Sequence, residues 1–157
     1  MTYRFTVPGI VRAESKKQRP LKLPDGRVVN MGPRTDDKPQ ANYKAQVALF
    51  AKQAIPAPLT GPVALELHAT RPRPASYPKR PTAQNWTKWA DMAKRRDLDN
   101  VAKLVCDALT GAAYVDDKQI VDLHVTRGFG GNELAVTVRE VTPDEVGLAL
   151  AGRERVA

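Results

Sequence analysis

The chain has 157 residues, 42% hydrophobic and 27% charged, with a formal net charge of +8, the balance of one soluble globular domain that needs no disulfide or metal staple. No apolar run approaches the roughly 18 residues of a membrane span, and the opening Met1-Thr2-Tyr3-Arg4-Phe5 lacks a signal-peptide layout, so a cytoplasmic protein is expected. The lone cysteine, Cys106, and only two histidines exclude an internal disulfide and a zinc site of Cys and His alone; any metal must be held mainly by oxygen.

Tyr3, Phe5 and Val7 alternate with Arg4 and Thr6, a short strand that Pro8-Gly9 ends. Residues 12–38 carry no apolar period but three prolines, and read as a long basic loop, with a small hairpin turning at Asp25-Gly26. Pro39 opens a helix with Tyr43, Val47, Phe50, Ala51 and Ala54 on one side, and Pro56 stops it. Val63, Leu65, Leu67 and Ala69 mark a second strand. A basic insert, 72–94, follows. Val101, Leu104, Val105, Ala108 and Leu109 then recur at helical spacing, and Gly111 caps that helix. Val121, Leu123 and Val125 form a third strand, which the turn at Gly128–Asn132 joins as a hairpin to a fourth, Leu134, Val136 and Val138. A tail, 141–157, closes the chain. The expectation is one α+β domain over 1–157: a small mixed β-sheet of about four strands, two main helices packed on one face, in β-α-β-α-β-β order.

Charge is unevenly distributed. Residues 71–96 hold eight basic side chains and one acid, which puts that segment at +7. The next thirty-one residues carry six aspartates against Lys103, Lys118 and Arg127. Such an apron attracts a polyanion, while the acidic cluster repels it unless a cation intervenes.

Chemistry concentrates in Arg95-Arg96-Asp97-Leu98-Asp99-Asn100-Val101-Ala102-Lys103, followed by Asp107 and Asp116-Asp117. One aspartate at a helix start is commonly a cap, which does not account for the whole set. From Asp99 to Thr110 the helix rises about 16 Å, and the six residues after it span at most about 20 Å. Asp117 therefore reaches back to Asp97 and Asp99 only if that link runs nearly straight. Three such carboxylates would need a divalent cation, and hard oxygen ligands favour Mg²⁺, with Mn²⁺ as a substitute. That site would polarise a phosphodiester for attack by water, with Lys103 stabilising the developing charge. A calcium loop fails for want of an oxygen ligand at Val101 and a glycine at Ala102. A nucleotide-sugar transferase fails for want of a nucleotide-binding unit.

The string Asp97-Leu98-Asp99-Asn100, Lys103, Asp107-Ala108-Leu109, Gly111 and Asp116-Asp117-Lys118-Gln119-Ile120 closely resembles the signature of the RusA family of Holliday-junction resolvases. Thr110 and Ile120 are mild departures from it. Pro8-Gly9, Lys17, Arg19-Pro20 and Gly26 are similar to the opening of phage-type members. The resemblance implies a homodimeric, Mg²⁺-dependent endonuclease that nicks two strands of a four-way DNA junction symmetrically, in recombination and repair, with no small-molecule cofactor. It implies Asp97, Asp99 and Asp117 as metal ligands and Lys103 as the essential lysine, with Asn100, Asp107 and Asp116 in support. Phosphate contacts are expected from Lys16, Lys17, Arg19 and Lys22 in the first loop, and from the basic apron: Arg73, Lys79, Arg80, Lys88, Lys94, Arg95 and Arg96.

Trp86 and Trp89 read as packing on the sheet or a dimer partner in preference to stacking on bases. His68 and His124 lie opposite the aliphatic rows and are not expected to be catalytic, and Cys106 reads as a small buried hydrophobe. Two other functions stand beside the resolvase: a non-catalytic basic DNA-binding protein, and a metal-dependent nuclease for other branched DNA.

Overall fold

The computed structural model describes residues 1–13, 18–33, 38–80, 82–88 and 97–145. Its elements are β1 (Thr2–Pro8), β2 (Gln18–Lys22), β3 (Val28–Pro33), α1 (Lys38–Ala54), β4 (Val63–Arg71), α2 (Leu98–Leu109), a short 3₁₀ turn at Asp117–Gln119, β5 (Ile120–Phe129) and β6 (Glu133–Glu140). The expected β-α-β-α-β-β order is present, with β2 and β3 as a separate hairpin. That hairpin turns where Asp25-Gly26 predicted it: Gly26 takes φ +84 and its N–H donates to the Leu23 carbonyl at 2.9 Å.

The main sheet has the order β1-β6-β4-β5. β6 lies antiparallel to both β1 and β4, while β5 runs parallel to β4. A parallel pair cannot be joined by a tight turn, and α2 supplies the crossover. The expected hairpin between β5 and β6 is therefore wrong, because β4 stands between them. The link at 130–132 crosses the end of β4, where the Gly130 N–H donates to the Arg71 carbonyl at 2.9 Å. Approach is so close that a Cβ on Gly130 would stand 3.2 Å from Thr70 Cβ.

Helices α1 and α2 pack on one face of this sheet. Tyr43, Val47 and Ala51 of α1 and Val101, Leu104, Val105, Ala108 and Leu109 of α2 are buried against Val7, Leu65, Leu67, Val136 and Val138. This is the face the helical and strand periodicities predict. Leu104 is fully buried, so Leu104→Ala costs about 2–5 kcal/mol. Glu66 and His68, alternating with the buried row of β4, are exposed on the open face. Of the expected tail, residues 143–145 form a helical turn, and 146–157 lie outside the described residues. Among the described residues no helix is long and apolar enough to cross a membrane.

Candidate active site

α2 begins at Leu98 with Asp97 in the N-cap position, φ −66 and ψ 128. A capping aspartate accepts a hydrogen bond from a backbone N–H two or three residues on. The Asp97 side chain accepts none. Its polar neighbour is Asn100, whose Nδ2 reaches Asp97 Oδ2 at a long 3.4 Å. Asp99 lies exposed in the first turn, where the helix dipole favours negative charge. Lys103, four residues further along the same face, is exposed as well.

The later aspartates are held differently. Asp107 meets Lys44 Nζ at 3.5 Å, an ion pair between the two helices. Asp116 caps the 3₁₀ turn: the Lys118 N–H donates to its Oδ1 at 3.0 Å, and the Asp116 N–H donates to Gln119 Oε1 at 2.8 Å. The Lys118 N–H holds the Asp116 carboxyl below its usual range. Gln119 Nε2 in turn donates to the carbonyls of Leu59 and Gly61, at 2.9 and 2.7 Å. The turn is thereby pinned to the start of β4, with the Asp117 carboxylate exposed beside it.

The straight link that would carry Asp117 back along α2 is absent. Gly111 takes φ +75 and its N–H donates to the Tyr114 carbonyl at 2.7 Å, while Ala112 and Ala113 both donate to Leu109. This compact turn uses up most of the available reach. Tyr114 is fully buried, and its hydroxyl donates to the Cys106 carbonyl at 3.0 Å. Burial raises the Cys106 thiol, and the charges of Asp107 and Asp117 add to the effect. At the other end, the charge of Asp97 acts on Arg127. Arg127 lies seven residues along β5 from Ile120, about 23 Å at strand rise. Within one chain, then, Asp97 and Asp117 belong to opposite ends of β5. Among the described residues, no three carboxylate, imidazole or thiol side chains gather closely enough to hold a metal ion. Asp97 and Asp99 still fit Mg²⁺, which is commonly held by one or two carboxylates with water and substrate phosphates.

Beside this pair is a cavity of about 270 Å³, with Ile10, Leu98 and Val101 among its apolar lining and Arg71, Arg127 and Asn132 among its polar lining. Burial, then the neighbouring Arg71 charge, makes Arg127 a weaker base than usual, and Asp97 opposes both. The Arg71 guanidinium lies 5.8 Å from the centre of the Phe129 ring, which Tyr77 meets edge-on at 5.7 Å. Sequence reasoning counted these two arginines only as charge. The signal it passed over is a basic residue near the C-terminal end of each strand flanking the crossover helix, brought together by the parallel register that sets Ala69 opposite Arg127.

Of the expected phosphate contacts, Lys22, Lys79, Arg80 and Lys88 are exposed. Arg73 differs: it is half-buried and its guanidinium donates to the Tyr77 carbonyl, so it closes its own loop. Arg19 lies on β2, opposite Met31, with its side chain outside the described part. Lys16, Lys17, Lys94, Arg95, Arg96 and Trp89 lie outside the described residues. Trp86 does not pack on the sheet; it is 64% exposed. His68 is exposed and pairs its Nδ1 with Thr126 Oγ1 at 2.7 Å. Cys106 is buried, as expected.

Two comparisons place these features. The chain is 32% identical over 150 residues to "Uncharacterized protein YqaN" of Bacillus subtilis (strain 168), an alignment covering 88% of this chain and 96% of that protein. Residues 17–139 match the family model described as "Endodeoxyribonuclease RusA", a span that includes β2 through most of β6 and every carboxylate discussed above. With α1, α2, the crossover and the aspartate string inside that match, the chain belongs to the RusA endodeoxyribonuclease family.

Proposed function

We propose that this endonuclease is a Mg²⁺-dependent resolvase that acts as a homodimer in the cytoplasm of a bacterial or phage-infected cell and nicks two strands of a four-way junction symmetrically. One observation carries the reading. Asp97 and Asp99 open α2 with neither a cap bond from Asp97 nor an ion pair among the described residues, whereas Asp107 and Asp116 are tied to Lys44 and to the 3₁₀ turn. Exposed carboxylates at a helix start, without cap bonds or ion pairs among the described residues and beside the two arginines, suit a cation and the phosphate it binds.

Asp97 and Asp99 would hold the metal, with Asp117 as a third ligand. Mg²⁺ bound there would polarise the scissile phosphodiester and activate the attacking water. Lys103 would face the phosphate from one turn into α2 and stabilise charge on the leaving oxygen. Asn100 would steady Asp97 through its amide.

Dimerisation reconciles the separated ligands. β5 is an edge of the sheet, with β4 on one side and, among the described strands, none on the other. Val121 and Leu123 on it are 38% and 45% exposed, an apolar edge that invites a strand. Two copies pairing antiparallel along β5 about a two-fold axis would set the partner's Asp117 at the end where Asp97 and Asp99 lie. Two equivalent sites would result, matching the two equivalent strands of a junction.

A labelled four-way junction and a linear duplex, each incubated with and without Mg²⁺, test this function. Paired nicks on opposing arms that need the metal and spare the duplex are expected. Binding without cleavage in either Mg²⁺ or Mn²⁺ would overturn the catalytic reading. Preferential cutting of flaps or three-way branches would move the substrate to other branched DNA.

A further inference from the structure

The cavity beside α2 contains none of the carboxylates proposed as metal ligands, yet it opens next to them: Leu98, in its lining, is the residue between Asp97 and Asp99. Its contents are unusual in combination. Ile10 and Val101 make it apolar, while Arg71 and Arg127 bring two positive charges to one end of the sheet. Arg71 brings a second guanidinium beside Arg127, on which the Asp97 carboxylate already acts; two such groups favour an occupant that carries a phosphate, and the apolar lining favours a flat, weakly hydrated one. A nucleotide meets both demands. At about 270 Å³ the space lies just under the roughly 300 Å³ at which pockets for drug-sized ligands begin, so it suits one base.

We propose that this cavity receives one unstacked DNA base next to the scissile phosphate, with Arg71 and Arg127 holding that nucleotide, and so sets which sequence is cut. The proposal rests on the nuclease reading above and adds a specificity site to it. A base inside a duplex cannot enter such a pocket, and a base at a branch point has least to lose by leaving the stack. Guanidinium planes stack on bases as well as pairing with phosphates. Asn132 offers an amide donor and acceptor for a base edge, the pairing by which side chains tell bases apart. The Phe129 ring beneath Arg71, itself braced by Tyr77, limits where that guanidinium can swing.

The test uses the full chain and four-way junctions carrying 2-aminopurine at each nucleotide around the branch in turn, in EDTA, with anisotropy recording binding in parallel. A fluorescence rise at one position on binding is expected. Arg127→Ala should abolish the rise and lower the salt slope of binding by about one unit. Ile10→Glu, at a rim residue that is 52% exposed, should abolish it without loss of fold and relax the sequence preference of cutting in Mg²⁺. Bound junction with no rise at any position, or a rise that survives both variants, would overturn the pocket. A rise in EDTA with no cutting of any DNA in Mg²⁺ would leave the pocket standing and overturn the nuclease reading instead.

Discussion

The start of α2 and the turn beyond its end carry the same residue type in opposite states. At the turn, Asp116 is a working cap, held by the Lys118 N–H and answered by Gln119. At the helix start, Asp97 occupies the cap position and its side chain caps nothing. Cap chemistry and metal chemistry draw on the same carboxylate, and a side chain spent on one is withdrawn from the other. The contrast separates aspartates tied into the scaffold, Asp107 and Asp116, from Asp97 and Asp99, which on the function proposed here would hold the metal.

The largest effect should come from the unspent side. Asp99→Asn should lower metal-dependent junction cleavage by more than the roughly 10–100-fold that outer-shell partners of a metal are worth. DNA binding should hold or improve, because a repulsive charge next to phosphate is gone; single-turnover nicking and anisotropy separate the two. If Asp99 were merely helix-start charge, cleavage would be unmoved.

Gln119→Ala strikes both sides. It removes two bonds to β4-side carbonyls and half of the capping box, a loss of about 1–3 kcal/mol measurable by urea denaturation. It should also slow cleavage by loosening Asp117, without changing binding. Asp116→Asn should lower the melting temperature and affect cleavage less than Asp99→Asn does. Its sign in pH follows from the lowered folded pKa: the stability Asp116 supplies is complete above the unfolded value of 3.8 and is lost as pH falls through the folded one. The gap in melting temperature between wild type and Asp116→Asn should therefore close in acid. Asp107→Asn should do least, since its partner Lys44 lies across a partly exposed pair worth about 0.2–1 kcal/mol.

Much of this architecture is legible in the sequence. Helix α2 announced itself through Val101, Leu104, Val105, Ala108 and Leu109, all of them buried, and Asp25-Gly26 marked its hairpin because a two-residue turn signal is local. What failed was non-local. The glycine-rich link after Phe129 looks the same whether it joins neighbouring strands or passes over a third, and only the packing of β4 between β5 and β6 decides. Chain length bounds the reach of the return from α2, while the left-handed Gly111 and its bond to Tyr114 set its path. The D-x-D string falls at the start of α2, with Asp97 in the cap position and Asp99 in the first turn. Which aspartates were already committed depended on backbone N–H groups such as that of Lys118, whose direction no pattern of side chains encodes. The arginine pair escaped for the same reason as the strand order, since its two members meet only across the β4–β5 register.

The most direct test of the central claim, that carboxylates from the two ends of β5 form one metal site in a dimer, is complementation. Asp99→Asn and Asp117→Asn chains, each inactive alone, are co-expressed, purified as a hybrid and given the four-way junction in Mg²⁺. The hybrid should regain cleavage at one strand, because one of its two sites keeps Asp97 and Asp99 from one chain and Asp117 from the other. A hybrid as inactive as its parents, while wild type carried through the same steps stays active, would contradict the shared site.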